Sequence, residues 1–236
     1  MRVKRFSFSQ PGNKPGPGDI VILDKGQGHQ AVTVLRLGPG DEIELVGPWG
    51  LARAEVEKVT QQPWPTLTAK LVSPFEAPVA RLGPTLALAL IKGPRFDWAV
   101  EKATELGAAA LVPLITLRSS PLAQGEAKKA RWARLSEEAR KQCGRPWPMD
   151  ITAPMGLESW LGGPLAEERL LLDPGGPFLP CEAGKPASLL VGPEGGLTGD
   201  EKELALGYGF RPFGLGSLTL RSETAAVATL ARLLSA

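Results

Sequence analysis

Histidine and cysteine are almost absent from this chain of 236 residues, which has one histidine, His29, and two cysteines, Cys143 and Cys181. A structural zinc site usually needs four cysteine or histidine ligands, so these residues are too few to form one. A disulfide framework is also excluded, which agrees with a reducing compartment. The chain has no HExxH pair, and a Ser-His-Asp triad would have to use His29. Much hydrolase chemistry is thereby excluded, and we expect no metal.

The sequence also lacks any apolar run close to the roughly 20 residues that cross a bilayer. Its start, MRVKRFSF, alternates polar and apolar residues and has no unbroken apolar core of a signal peptide. With 43% hydrophobic and 22% charged residues, the composition is that of a globular protein. We therefore expect a cytoplasmic protein that does not enter the membrane.

The net charge is only +2, but the charges are unevenly distributed along the chain. Residues 1–73 sum to +2, residues 74–150 to +4 and residues 151–236 to −4. A basic front on an acidic rear indicates a polyanionic partner bound by the first two-thirds of the chain. A solvated helix face is the alternative interpretation of the basic residues 128–145.

Short apolar stretches alternate with turn signals up to about residue 72, which predicts a small β-barrel. The stretches expected to form strands include residues 20–23, 31–35, 42–46 and 52–56. Residues 73–78, SPFEAP, are typical of a linker.

A different pattern follows. Residues 86–91 form a continuous apolar run, as expected of a strand buried on both faces. Gly93-Pro94 opens an amphipathic helix that Gly107 ends, and residues 110–115 form the next strand. This strand-helix-strand unit predicts a parallel sheet, and hence an α/β fold. Further strands are expected near 169–172, 188–191 and 210–214, and further helices at 124–143, 199–206 and 223–234.

Two C-terminal segments carry the candidate chemistry. Residues 189–198, LLVGPEGGLT, run from a buried strand into a glycine-rich turn, where a ligand can lie against bare backbone. Gly195→Val is expected to abolish ligand binding by filling this turn, and a β-branched residue would resist any positive φ there. Residues 214–225, GLGSLTLRSETA, end at the start of an alanine-rich helix, whose free N–H groups suit an anion. Taken singly, the first is more often a plain turn, and the second is explained by helix capping through Ser222.

Together the two segments resemble the RsmE family, the 16S ribosomal RNA uridine-N3 methyltransferases. Residues 100–107, residues 142–145, and His29 with residues 34–37 are also similar to that family, so the resemblance spans nearly the whole chain. One departure is Leu218, where family members commonly have an arginine within an LGxR pattern.

The resemblance implies an α/β protein of the SPOUT class, with a small PUA-like RNA-binding β-barrel at residues 1–72 and a methyltransferase domain at residues 73–236. It also implies a C-terminal trefoil knot, a homodimer, and S-adenosylmethionine (SAM) held among three loops. The cofactor-binding residues expected from it are Leu172, Pro174, Gly192, Pro193, Glu194, Gly195, Gly196, Leu197, Leu215, Gly216, Ser217, Leu218 and Leu220.

Methylation of uracil N3 requires this nitrogen to lose its proton, so the site must favour the uracil anion. Arg221 is the first candidate for binding the charged uracil oxygen, and Glu223 is expected to orient Arg221 or to accept the proton, as is Glu194. The partner is 16S ribosomal RNA or the small ribosomal subunit. Phosphate contacts are expected from Arg2, Arg5, Lys92, Arg95, Arg118, Lys141 and Arg145.

Alternatives remain for several of these residues. Each basic residue is equally well an ordinary surface charge, and Lys102 with Glu105 is expected to be a structural ion pair. Trp132, Trp147 and Trp160 are expected to pack rather than stack on bases. For the whole protein, the alternatives are an RNA-binding assembly factor impaired in catalysis by Leu218, or a SPOUT methyltransferase acting on another RNA atom.

Overall fold

The computed structural model describes residues 4–8, 14–47, 49–76, 83–120, 126–145, 147–178 and 186–234. The chain divides into two compact units, the first formed by residues 1–80 with 141–147 and the second by residues 81–140 with 148–236. Within the described ranges, no helix combines the length and the apolar character needed to cross a membrane.

The first unit is built on a five-stranded sheet. Its strands are β1 (Lys4–Ser7), β2 (Ile20–Ile22), β3 (Glu42–Gly47), β4 (Gly50–Thr60) and β5 (Thr66–Leu71). The hydrogen-bonded order is β1-β3-β4-β5-β2, with β1 parallel to β3 and the other pairs antiparallel. Alternate residues such as Ile43, Leu45 and Leu67 point into a shared apolar core, as the period of a half-buried strand requires.

The prediction of a strand over residues 31–35 is wrong. This segment lies in a helical stretch, α1 (Lys25–His29) continuing into a π-helical turn, Gln30–Val34. The Asp24 carboxylate caps α1 by accepting a hydrogen bond from the Gln27 amide at 3.0 Å. A cap at the start of the segment and contacts within the unit override the strand preference of its valines and threonine.

The second unit is an α/β fold, and its parallel sheet confirms that part of the fold prediction. The strands are β6 (Thr85–Ala89), β7 (Ala110–Ile115), β8 (Asp150–Ile151), β9 (Met155–Gly156), β10 (Glu168–Leu172), β11 (Ala187–Val191) and β12 (Arg211–Phe213). The helices are α2 (Pro94–Glu105), α3 (Glu126–Cys143), α4 (Leu157–Leu161), α5 (Gly199–Gly207) and α6 (Ser222–Leu234). The order is β12-β10-β11-β6-β7-β8, with β9 beside β7, and every pair is parallel.

Both faces of this sheet are covered by helices. Leu86 and Leu88 of β6 pack with α2, α3 and α6, whereas the intervening Ala87 packs with α4 and α5. A strand buried on both faces is apolar at every position, which explains the unbroken apolar runs of β6 and β11.

The strand order brings the C-terminal chain back across an earlier loop. β12 pairs with β10 although β11 comes between them in sequence. The chain after β12 passes close to the loop after β10. The Gly214 amide donates to the Pro177 carbonyl at 2.9 Å, and a Cβ on Gly176 would lie only 2.6 Å from the Phe213 backbone. The loops that follow β10, β11 and β12 therefore meet at one edge of the sheet, where α/β folds bind ligands.

Candidate functional site

A cavity of about 250 Å³ lies at this edge. Its lining includes Leu172 at the end of β10 and Pro174 after it, the six residues 192–197 after β11, and Leu215, Gly216, Leu218 and Leu220 after β12. The structure thus brings together all the sequence-predicted cofactor residues except Ser217, which does not line it. Asp173 and Thr219, which lie within the expected loops, also line it, and the structure adds Leu171, Val191, Lys202, Ser222 and Ala225.

The turn after β11 has its left-handed backbone conformation at Gly196, one position after Gly195. The Gly196 amide donates to the Pro193 carbonyl at 2.8 Å, and Gly196 has φ +68°, in the left-handed region. Gly195 is not left-handed, and a Cβ there would meet the Arg118 Cδ at 3.4 Å, an ordinary contact. The positive φ allowed for at Gly195 is therefore found at Gly196 instead, and the expectation that a branched side chain at Gly195 would fill the turn stays a prediction.

The end of this turn is fixed by a capping box that the sequence interpretation missed. The Thr198 hydroxyl accepts from the Glu201 amide at 3.2 Å, and the Glu201 carboxylate accepts from the Thr198 amide at 2.8 Å. The same carboxylate also accepts from the Leu117 amide at 2.7 Å. The spacing Thr-x-x-Glu before a helix is the signal that would have revealed it.

The first turn of α5 also brings a charged pair to the cavity. The Lys202 ammonium lies 3.1 Å from the Asp173 carboxylate, and both side chains line the cavity. Lys202 was not predicted from the sequence. The feature that could have indicated it is its position one helical turn after the cap residue Thr198. Among the residues that the structure describes, no cluster of three or more His, Cys, Asp or Glu could hold a metal ion.

The loop after β12 forms the exposed side of the cavity. Gly216 has φ +126°, and a Cβ there would meet no atom within 4 Å. Leu218 lines the cavity although 79% of the residue is exposed. Such an exposed leucine keeps an apolar side chain at the mouth of the cavity, in the position where the resemblance leads one to expect an arginine.

The two candidate catalytic residues occupy different environments. Arg221 is exposed and lies between the lining residues Leu220 and Ser222, and its carbonyl accepts from the Ala225 amide at 2.8 Å. Helix α6 begins at Ser222, so Arg221 rather than Ser222 occupies the cap position. Glu223, in the first turn of α6, is only 6% exposed.

Two of the predicted phosphate contacts lie beside the cavity and bind groups of the protein itself. The Arg95 guanidinium lies 3.0 Å from the Glu194 carboxylate and 3.8 Å from that of Glu223. The Arg118 guanidinium donates to the Gly195 carbonyl at 2.8 Å. Both cations therefore contact the turn after β11. Lys92, by contrast, is exposed.

The remaining candidates belong to the first unit. Arg5 forms an ion pair with Glu44 and donates to the Gly144 carbonyl at 3.1 Å. Lys141 is exposed, whereas Arg145 is only 6% exposed and lies over the Trp147 ring at 5.6 Å. Burial is unfavourable for a phosphate contact, so Arg145 is removed from the RNA surface that we expect. Arg2 lies outside the described residues.

The structure confirms the ion pair expected of Lys102 and Glu105 and the packing expected of Trp132 and Trp160. The Lys102 ammonium lies 2.8 Å from Glu105 and also pairs with Glu101, at 2.7 Å. These hydrogen bonds, first that of Glu101, raise the pKa of Lys102 above its ordinary value. Trp132 is buried against Phe96, with ring centroids 4.6 Å apart, and Trp160 is buried against Phe210.

The sequence is similar to known RNA methyltransferases. A family model for an RNA methyltransferase domain matches residues 80–234. Ribosomal RNA small subunit methyltransferase E of Synechocystis sp. is 35% identical over 225 residues, which cover 90% of this chain and 72% of that protein. The protein of the same name from Aquifex aeolicus is 30% identical over 229 residues, covering 92% of this chain and 95% of that protein.

The fold is similar to that of solved methyltransferases with bound cofactor. A methyltransferase of Legionella pneumophila in complex with SAM has a TM-score of 0.73 and 29% identity, covering 99% of this chain and 97% of that one. Ribosomal RNA small subunit methyltransferase E of Neisseria gonorrhoeae, bound to SAM, has a TM-score of 0.73 and 28% identity, covering 98% and 96%. The similarity thus extends over both units of the chain.

Proposed function

Because the chain belongs to the ribosomal RNA small subunit methyltransferase E family, we propose that it transfers a methyl group from SAM to uracil N3 of one uridine in 16S ribosomal RNA. The observation that carries this proposal is the cavity at the carboxyl edge of the parallel sheet, which three loops form. Arg221 comes directly after Leu220, a lining residue of the third loop. Relatives with this fold have been solved with SAM bound.

The residues around the cavity fit SAM. Gly196 and Gly216 line it, and neither has another atom within 4 Å of where a Cβ would stand, so a flat ring can lie against their backbone. Leucines at 172, 197, 215 and 220 supply apolar surface. When bound there, SAM supplies a methyl group on a positively charged sulfur, which is open to attack by a nucleophile.

Arg221 would bind the uracil oxygen that becomes negative when N3 loses its proton. Its guanidinium stays charged at any working pH, and its exposed position leaves it accessible to RNA. The start of α6, with its free N–H groups, adds positive potential at the same place. Stabilising the anion in this way lowers the barrier to attack by N3.

A carboxylate is the natural acceptor for the N3 proton. Glu223 is the first candidate because it is buried two residues after Arg221, and Glu194 on the turn after β11 is the second. In the balanced reaction the proton passes from N3 to the acceptor, N3 bonds to the methyl carbon, and the carbon–sulfur bond breaks to leave S-adenosylhomocysteine.

The remaining parts of the proposal concern the whole protein. The first unit would act as a PUA-like RNA-binding barrel, which the mixed five-stranded sheet supports. The passage of residues 213–214 against residues 176–177 supports a trefoil knot. We further propose a cytoplasmic homodimer that acts on the small subunit or its RNA, with Lys92, Arg5 and Lys141 among the phosphate contacts.

Transfer of label from SAM is the direct test. Purified protein, labelled SAM and 16S ribosomal RNA, free or in small subunits, should give labelled RNA, and titration calorimetry should detect SAM binding without added metal. Binding of RNA without SAM binding would instead indicate an assembly factor impaired in catalysis, the alternative that the exposed Leu218 motivates.

A further inference from the structure

Arg95 lies between two carboxylates that come from different parts of the site. It is the second residue of α2, and its guanidinium is 3.0 Å from Glu194, which lines the cavity, and 3.8 Å from Glu223, in the first turn of α6. These two carboxylates are 29 residues apart in sequence and belong to separate loops of the site. One cation therefore links the turn after β11 to the start of α6.

The Glu194 and Glu223 carboxylates differ in how strongly each depends on the charge of Arg95. The Glu194 side chain is 40% exposed, so water can solvate it, but the Glu223 side chain is only 8% exposed. In the described part of the chain, no donor lies within hydrogen-bonding distance of the buried Glu223 Oε2. A buried carboxylate is costly without a compensating charge, so Glu223 depends on Arg95 more than Glu194 does.

We propose that Arg95 is a positioning residue that joins the turn after β11 to the first turn of α6, and so couples the cofactor-binding loop to Glu223. Its guanidinium lies against both carboxylates and contacts Glu223 through Oε1, which leaves Oε2 without a hydrogen-bond donor among the described residues. This inference rests on the proposed function, and it replaces the expectation that Arg95 contacts a phosphate.

The coupling predicts a specific dependence of SAM affinity on a residue outside the cavity. Glu223 does not line the cavity, so its neutral variant Glu223→Gln should weaken SAM binding only through Arg95 and Glu194. We expect Arg95→Gln to raise the Kd for SAM about two- to fivefold, the effect of losing a partly exposed ion pair. Glu223→Gln should weaken binding in the unmodified protein but add nothing in the Arg95→Gln background.

Lys102 provides a matched control on the same helix. Its ammonium also joins two carboxylates, Glu101 and Glu105, but, unlike Glu194, neither of these lines the cavity. Lys102→Gln should therefore leave the Kd for SAM and the single-turnover rate unchanged. Arg95→Lys keeps the charge without the fork, so it should recover only part of the SAM affinity that Arg95→Gln loses.

The experiment is calorimetric titration of SAM with each full-length variant, together with single-turnover methyl transfer and thermal unfolding. A folded Arg95→Gln protein with unchanged SAM affinity and rate would overturn the inference. So would additive effects of Arg95→Gln and Glu223→Gln, or a loss confined to RNA affinity, which would restore the phosphate contact. If the unmodified protein itself transferred no methyl group, the proposed function would fail instead.

Discussion

Gly196 is the residue of the turn after β11 for which the structure allows the energetic cost of a substitution to be worked out. Its φ of +68° lies in the left-handed region, and a Cβ would meet no atom within 4 Å. In the protein without ligand, Gly196→Ala therefore adds no clash, and its cost there is backbone strain of roughly 1–2 kcal/mol. That strain corresponds to about a 5- to 30-fold change in an equilibrium constant.

The backbone strain can lower either the stability of the protein or its affinity for SAM, and separate measurements distinguish the two effects. If the turn keeps its shape, Gly196→Ala lowers the free energy of unfolding, and if the turn relaxes, the Kd for SAM rises by about 5- to 30-fold. Thermal unfolding without ligand and calorimetric titration with SAM should together show a loss of at least about 1–2 kcal/mol, because a methyl group against the bound ligand can only add to the loss of SAM affinity.

Two further variants distinguish backbone strain from the effect of simply adding a side chain to the turn. Asparagine tolerates the left-handed region better than alanine does, so Gly196→Asn should recover much of the free energy of unfolding that Gly196→Ala loses. Gly195→Ala, one position earlier, should have little effect, because its Cβ would make only a 3.4 Å contact with Arg118. If Gly196→Ala matched the unmodified protein in both measurements, or if Gly195→Ala were the more damaging change, backbone strain at Gly196 would not be what shapes the turn.

Three other predictions concern catalysis, RNA binding and stability. Arg221→Ala should slow single-turnover methyl transfer by about 10²–10³ with SAM affinity intact, and higher pH should partly restore the rate; full activity would exclude Arg221 as the anion-binding group. Lys92→Gln should lower the slope of log affinity for RNA against log salt by about 0.7–0.9, whereas an unchanged slope would place the RNA elsewhere. Burial acts to raise the pKa of Asp24, but hydrogen bonds from Gln27 hold it below the ordinary 3.8. Asp24→Asn should therefore lower the free energy of unfolding at neutral pH, and this difference from the unmodified protein should disappear as the pH falls below 3.8. Urea unfolding measures it, and a difference that does not change with pH would contradict this.

The elements that could be predicted from sequence are those whose pattern matches their burial. The apolar runs of β6 and β11 were found because both faces of these strands are covered by helices. The amphipathic α2 was found because Gly93-Pro94 marks its start. The two-residue strands β8 and β9 were missed, since so short a segment has no period to detect.

The errors arose where distant parts of the chain decide the outcome. The helical turn over Gln30–Val34 has the composition of a strand, and only its packing distinguishes it. Arg145 counts as a basic surface residue in sequence, but it is buried beside Trp147. The pairing of Arg95 with Glu194 joins residues 99 positions apart, which no local pattern can predict.

The positions of the cofactor loops could be predicted for a different reason. Residues 192–197 and 215–220 were identified by resemblance to a family, and the structure places them around one cavity because the strands before them lie side by side in a parallel sheet. Their spacing in sequence alone did not require this. Lys202 and Asp173, which also line the cavity, form an ion pair that the resemblance did not include.

The most direct test of the central claim is to map the methyl group on the RNA. Small-subunit ribosomal RNA treated with the purified protein and isotopically labelled SAM is digested to nucleosides and fragments, and the labelled atom is identified by mass spectrometry against synthetic standards. We predict one uridine labelled on N3, and no label with Arg221→Ala at the same time point. Label on a ribose hydroxyl or another base, or no label despite SAM binding, would contradict uracil-N3 methylation by this protein.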